Sequence, residues 1–303
     1  MKDKIIRSPL FYIGDKYKLL KYIKPFFPKN IHRFIEPFSG GGSVALNMCA
    51  NEFLLNDIDK SVFLLHNFLI EHARKPSVFF KEVEKIIYEY GLSRSYKEDI
   101  IPKELKYQYA KTYYAKFNKK SFEKLKYNYN HIEKGENLYK LYILLIYGFN
   151  RMIRFNKSGQ YNLPVGNVDF NNNVIKALNN YFEKVKKQKI KWYNLDYIDF
   201  LSNVQPKKED FLYFDPPYLI TFSEYNKLWN EQNEKQFVCL LDELNKHKIR
   251  FACSNVLSYK GKNNSIFDNW AKKYNMIPMK SNYISYHDNS IKNFKEVLVT
   301  NYE

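Results

Sequence analysis

The stretch Phe211-Leu212-Tyr213-Phe214-Asp215-Pro216-Pro217-Tyr218 limits the possible folds more than any other part of the chain. Its four apolar residues predict a short buried strand. The prolines stop that strand at once, because proline has no N–H to donate and a fixed φ. A carboxylate, a carbonyl and an aromatic ring are thereby held at the carboxyl end of a strand, the edge where open α/β sheets bind ligands. Those groups match an exocyclic amine on a flat ring. Asp215 and the Pro216 carbonyl can each accept one N–H, and Tyr218 can stack. The competing reading is an ordinary proline turn with Asp215 as its satisfied acceptor.

Arg33-Phe34-Ile35-Glu36-Pro37-Phe38 predicts another strand, followed by the turn Ser39-Gly40-Gly41-Gly42 and a helix start at Ser43. Glycines there permit positive φ and close approach of a ligand to the backbone. Glu52-Phe53-Leu54-Leu55-Asn56-Asp57 predicts the next strand. Asp57 lies 17 residues beyond Gly40, where a carboxylate commonly takes a ribose hydroxyl pair. Gly40, Gly42 and Ala45 also fit the dinucleotide fingerprint, so a nicotinamide oxidoreductase competes, although that fingerprint is weak alone. Upstream, the chain turns at Gly14-Asp15, with Tyr12 before and Lys16 after. A helix with Leu19, Leu20 and Ile23 on one stripe follows, ended by Pro25 and Pro28.

Residues 61–74 predict a helix, and composition shifts after Pro76. From Tyr96 to Lys140 there are eight Tyr and eleven Lys against six acids, in a mostly helical pattern. Residues 76–170 therefore read as an inserted basic lobe, and residues 150–166 as a hairpin or tight loop punctuated by Gly159, Pro164 and Gly166. Arg151, Arg154, Asn156, Lys157 and Asn162 make it a candidate DNA-reading loop, since Arg and Asn suit guanine and adenine edges. A polar surface hairpin is the alternative.

Further on, a basic helix is expected over 174–188 and a strand over 189–194. Asp196 and Tyr197 follow at that strand's end, where Asp196 could equally be a helix N-cap. A loop over the site is expected at Thr221–Glu234, a helix at 235–247 and a strand at 249–255. A basic loop at Tyr259–Asn264, a helix at Phe267–Tyr274 and a closing strand at Glu296–Tyr302 complete the chain. Strands alternating with helices predict a mainly parallel sheet.

The 49 Lys and Arg exceed the 32 Asp and Glu, a formal net charge of +17. That excess suits a polyanion, and interleaved aromatics suit bases. The abundance of Lys, Asn, Tyr, Ile and Phe would also follow from AT-rich codons. Three scattered cysteines, Cys49, Cys239 and Cys253, argue against a disulfide framework or a zinc site. No apolar run has signal-peptide or membrane-span length, so a cytoplasmic protein without a membrane partner is expected.

Taken in order, these motifs resemble the Dam-type (D12 class) DNA adenine-N6 methyltransferases over nearly the whole chain. The resemblance rests on Tyr12 with Gly14-Asp15-Lys16, on Glu36–Ser43, on Asn56-Asp57, and on Arg154-Phe155-Asn156 with Tyr161–Gly166. Asp215–Tyr218, Ser254-Asn255 and Lys295–Leu298 complete it. The order, glycine motif before Asp-Pro-Pro-Tyr with an insert between, is the family's alpha arrangement. It implies a Rossmann-like methyltransferase core of residues 1–75 and 171–303, with a target-recognition lobe over 76–170. S-adenosylmethionine is the implied methyl donor, leaving as S-adenosylhomocysteine, without a metal. By position, Tyr12, Lys16, Asp57 and Asp215 match cofactor-contacting residues, as do Phe38, Gly40 and Gly42 around its methionine end. Asp196 and Tyr197 match positions near its adenine. Asp215, Pro216 and Tyr218 are the implied catalytic set, acting on the N6 amine of a flipped adenine.

The implied partners are double-stranded DNA and a cognate restriction endonuclease, with the protein a monomer and a GAT-containing site its target. Asp15 departs from the family, which usually has a second glycine there, and Lys157 and Gln160 make the reading loop this chain's own. Cytosine-N4 methylation, RNA methylation and a non-catalytic DNA-binding module are the rival readings.

Overall fold

The computed structural model describes residues 5–221, 229–279 and 294–303. The strands are β1 Arg33–Glu36, β2 Glu52–Asn56, β3 Ile190–Tyr193, β4 Phe211–Phe214, β5 Arg250–Tyr259, β6 Lys262–Asn263, β7 Asn275–Met279 and β8 Lys295–Thr300. They form one sheet in the order β3-β2-β1-β4-β5-β8-β7, with β6 paired to β5. The first five strands of that order are parallel, and β8 runs antiparallel to both β5 and β7. The result is the mixed α/β architecture with a mainly parallel sheet that the sequence implies.

The helices are α1 Leu20–Ile23, α2 Ser43–Leu46, α3 Lys60–His72, α4 Pro76–Tyr90, α5 Lys103–Gln108 and α6 Tyr113–Tyr127. They continue with α7 Leu138–Tyr147, α8 Asn172–Val185, α9 Tyr197–Val204, α10 Glu231–Lys246 and α11 Ser265–Ala271. The chain divides into two compact units. A mostly helical one comprises Met1–Tyr17, Gly40–Leu46 and Asp59–Gln188, and a sheet unit comprises Lys18–Ser39, Asn47–Ile58 and Lys189–Glu303.

In the sheet unit, β4 shows why the core forms where it does. All four of its residues are buried, and alternate side chains point to opposite faces. Leu212 and Phe214 join a cluster with Phe200, Phe237, Leu241, Phe267 and Trp270, from α9, α10 and α11. Phe211 and Tyr213 instead meet Phe27, at 5.1 and 5.3 Å between ring centroids.

The helical unit is built on α7, whose residues 141–147 are all buried, as expected of a helix apolar on every side. Asn137 caps it by accepting from the Lys140 N–H. In α4, Pro76 occupies the first turn, Gly91 closes the helix at φ 67, and Phe79, Val83, Ile86 and Ile87 form its buried stripe. This is the usual proline-first, glycine-last arrangement.

Several expected boundaries move. The stripe after Gly14 forms only the single turn α1, flanked by 3-10 turns. Strand β1 stops at Glu36 because Pro37 has no N–H to donate. Helix α10 begins at Glu231 rather than 235, because Asn230 caps it and Asn233 closes a capping box. Where a flexible loop is expected at 259–264, the chain makes a tight β5–β6 hairpin, with Lys260 at φ 48 and Gly261 at φ 78. Strand β7 is an addition. Among the described residues it pairs only with β8, so Pro278 sits on an edge there, where a missing N–H is tolerated. The loop expected over the site, Thr221–Glu234, lies partly outside the described residues. No helix among the described residues is long and apolar enough to cross a membrane.

Candidate active site

The sheet order reverses between β1 and β4, the switch point where ligands bind at the carboxyl ends of parallel strands. Phe38 follows β1, Asp57 follows β2, Asp196 and Tyr197 follow β3, and Asp215, Pro216 and Tyr218 follow β4. All these expected residues therefore share one edge of the sheet. Asn56 holds that edge together. Its side-chain amide donates to the Pro37 and Leu195 carbonyls, both at 3.0 Å, and its oxygen accepts from the Leu195 N–H at 3.0 Å. Ser39 reinforces the junction, donating through Oγ to the Glu36 carbonyl at 2.8 Å and through its N–H to the Asn56 carbonyl at 2.9 Å.

At the end of β4, the Tyr218 hydroxyl donates to Asp215 Oδ1 at 2.7 Å. Burial, and then the Asp215 carboxylate, push the Tyr218 pKa well above its ordinary value, so this phenol keeps its proton. The bond ties the ring and the carboxylate into one rigid group. One register further in, the Tyr213 hydroxyl pairs with Ser254 Oγ at 2.8 Å, fixing the end of β4 against β5.

Beside this group stands an aromatic wall. Phe38 and Tyr197 lie 5.1 Å apart, and the Trp229 ring meets each at 6.0 Å between centroids. The Tyr197 hydroxyl is buried and has no partner among the described residues. Trp229 is held by Glu234, which accepts from its indole N–H at 2.5 Å and from Asn255 and Asn264 at 3.1 and 2.7 Å. Burial raises the Glu234 pKa and those three donors oppose the rise. Asp196 turns out to be the N-cap of α9, accepting from the Ile198 N–H at 2.9 Å. Sequence reading misses Asn56, Trp229 and Glu234 as site-building residues. A capping box marks the start of α10, but nothing local shows that Glu234 reaches across to β5.

The helical unit carries the glycine turn. Gly40 and Gly42 have φ +48 and +67. A Cβ on Gly40 would meet the Tyr12 ring at 3.1 Å, and one on Gly41 would meet Tyr12 Cβ at 2.8 Å. The turn is thus pressed against Tyr12, and only glycine fits. Asp15, the departure from the family, accepts from Ser43 Oγ at 2.9 Å and from the Tyr17 N–H at 3.3 Å. Burial raises its pKa despite those bonds. Lys16 is buried.

His66, also unforeseen, sits behind Gly40, with Nε2 at 3.0 Å from its carbonyl and Nδ1 at 3.3 Å from the Tyr181 hydroxyl. A carbonyl only accepts, so Nε2 carries the proton and Nδ1 receives the Tyr181 hydroxyl. Burial drives the His66 pKa down to about 4.

The expected hairpin exists, also in the helical unit. Phe155 and Tyr161 form an antiparallel bridge, and the Asn156 N–H donates to the Gln160 carbonyl at 2.8 Å. Asn156 Oδ1 accepts from the Ser158 and Gln160 N–H groups, so its oxygen holds the turn. Arg154 Nε donates to Asn162 Oδ1 at 2.9 Å across the hairpin, and Lys157 is exposed at the tip. Arg151 stands apart from them, with its guanidinium 3.9 Å over the Phe11 ring.

Comparison with known proteins adds an independent finding. The family model described as D12 class N6 adenine-specific DNA methyltransferase matches residues 12–285. The modification methylase StsI of Streptococcus sanguinis is 34% identical over 99% of this chain and 43% of its own length. The Type II methyltransferase M.FokI of Planomicrobium okeanokoites is 34% identical over 98% of this chain and 43% of its own. The DNA adenine methylase of Escherichia coli (strain K12) is 26% identical over 70% of this chain and 65% of its own. The chain thus spans less than half the length of the first two.

Proposed function

Because the chain belongs to the D12 class N6 adenine-specific DNA methyltransferase family, we propose that it methylates the N6 amine of adenine in a short site of duplex DNA. The observation that carries this reading is the Asp215–Tyr218 group at the carboxyl end of β4, next to the switch point of the sheet. The residues present also fit S-adenosylmethionine. Tyr197 and Trp229 offer a wall to its adenine, with Phe38 next to them toward its methionine end, and among the described residues the Tyr197 hydroxyl has no partner, which a ligand could provide. Asp57, at the end of β2, is taken for its ribose, and Tyr12, Lys16, Gly40 and Gly42 keep the roles that the resemblance gives them. When bound, that cofactor supplies an electrophilic methyl group on a sulfonium.

The protein's own part is to present the amine. N6 is inaccessible within the base stack, so the adenine is extruded. Tyr218 offers a face to the ring. Asp215 and the Pro216 carbonyl accept the two amino hydrogens and draw N6 from planar towards tetrahedral, which frees its lone pair. A methyl group delivered to that lone pair would place positive charge on N6. The carboxylate and the carbonyl dipole already point there, which is electrostatic preorganisation. N6 would then lose one proton to solvent water for each methyl gained.

The helical lobe over 76–170, with its hairpin, is assigned to target recognition. The names of the relatives, modification methylase and Type II methyltransferase, support a role beside a restriction endonuclease. The test is Asp215→Asn. Turnover is expected to fall by roughly a hundredfold or more, on the scale of lost transition-state electrostatics, while duplex binding stays within a few-fold. Equal loss of both would contradict the assigned role.

A further inference from the structure

Two arginines of the helical unit share one aromatic ring. The guanidinium carbons of Arg7 and Arg151 lie 4.6 and 3.9 Å from the centroid of Phe11, and Arg7 also lies 5.3 Å over Tyr17. Among the described residues neither guanidinium makes a hydrogen bond or an ion pair, and Arg151 Nε is buried without an acceptor. By contrast, Arg33, Arg94 and Arg154 all have side-chain acceptors.

The backbone around the pair is unusual. Phe11, Asn150 and Arg151 have φ +50, +53 and +52. A left-handed, non-glycine residue is strained, and such strain collects at functional positions. The segment carrying Arg7 and Phe11 is also anchored, since the Tyr142 hydroxyl donates to the Pro9 carbonyl at 3.1 Å. Burial lowers the Arg151 pKa to about 10, and Arg7 adds to that lowering, while Tyr142 and Asp169 oppose it. Asp15 lies within electrostatic reach of Arg7, as Asp169 does of Arg151, but neither carboxylate bonds a guanidinium. Among the described residues the fold therefore holds two cations close together on strained backbone with no anion bound to either.

An uncharged base edge relieves such a pair only in part. A phosphodiester relieves it further. It brings a whole negative charge and two non-bridging oxygens that match guanidinium forks. We propose that Arg7, Phe11 and Arg151 form a clamp for one backbone phosphate of duplex DNA. This rests on the DNA reading above, gives Arg151 a phosphate rather than a base edge, and extends the contact to Arg7 and Phe11.

The test is equilibrium binding of the full chain to a duplex that it methylates, across a sodium chloride series. Wild type, Arg7→Gln, Arg151→Gln and the double variant are compared. One phosphate contact contributes about 0.9 to the slope of log affinity against log salt. The double variant is expected to be shallower than wild type by about that amount. Affinity at fixed salt should fall roughly fivefold or more on every duplex sequence, with the methylated site unchanged.

An unchanged slope overturns the clamp. A slope change near twice that amount means two phosphates and also overturns it. A loss confined to one base position overturns it in favour of base reading. If Arg151→Gln melts early, the exposed Arg7→Gln variant carries the same test. A wild-type chain that methylates DNA but fails these tests refutes the clamp alone, whereas one that binds no duplex refutes the parent reading as well.

Discussion

At the residue scale, the bond from Tyr218 to Asp215 separates two roles within one side chain. Tyr218→Phe keeps a ring that can stack and removes the hydroxyl that steadies the carboxylate. We expect kcat to fall roughly tenfold, the scale of one charge-assisted hydrogen bond, with little change in duplex affinity. Tyr218→Ala should cost more in both. His66 gives a second prediction, about pH. Its folded pKa is about 4 against an ordinary 6.5, so between those values the unfolded chain binds a proton that the folded chain refuses. Stability therefore falls as pH drops through that window, by roughly 3 kcal/mol in all. Urea unfolding of His66→Asn at pH 7 and at pH 5 should show a smaller acid penalty than wild type. An unchanged penalty would assign the acid sensitivity to other groups.

At the scale of elements, the two edges of the sheet do different work. On the amino side, Arg33 reaches both Asp210 oxygens, at 3.0 and 2.6 Å, and the carbonyls of Val204 and Gln205. This fork fastens the start of β1 to the start of β4. Asp210 is almost wholly buried, and Asp210→Asn leaves the guanidinium without its counter-charge. We expect a loss of about 3 kcal/mol in urea unfolding, with kcat at low temperature within about twofold of wild type. On the carboxyl side, Glu234→Ala leaves three donors unmet, two of them buried, and releases Trp229. We expect S-adenosylmethionine affinity to fall at least fivefold, read by titration, and kcat at saturating cofactor to fall far less. The strands β1, β2 and β4 were legible in sequence because each carries an apolar run ended by proline, asparagine or aspartate, and β3 because Ile190, Trp192 and Tyr193 around Lys191 end at Asn194. Strand β7 was not, because Pro278 interrupts its apolar residues. Its pairing with β8 comes from the sheet rather than from its own propensity.

At the scale of the whole molecule, the parallel order of the sheet follows from strands alternating with helices, and the candidate catalytic group follows from one octapeptide. What stayed hidden depends on long-range contact. Asn56 and Leu195, Glu234 and Asn264, and Arg151 and Phe11 meet only after folding. No periodicity records such pairs. The helical unit also gathers α3 and α8 from either side of the lobe that composition marks out. Their apolar stripes are plain in the sequence, but a stripe does not say what it will pack against.

The central claim is that the Asp215–Tyr218 group presents an extruded adenine amine to a sulfonium methyl. It is tested most directly by incubating varied duplex DNA with the purified chain and S-adenosylmethionine, then digesting the DNA and measuring its nucleosides by mass spectrometry. The account predicts N6-methyladenine with the wild-type chain and almost none with Asp215→Asn. Unmodified adenine throughout, or N4-methylcytosine in its place, would contradict it.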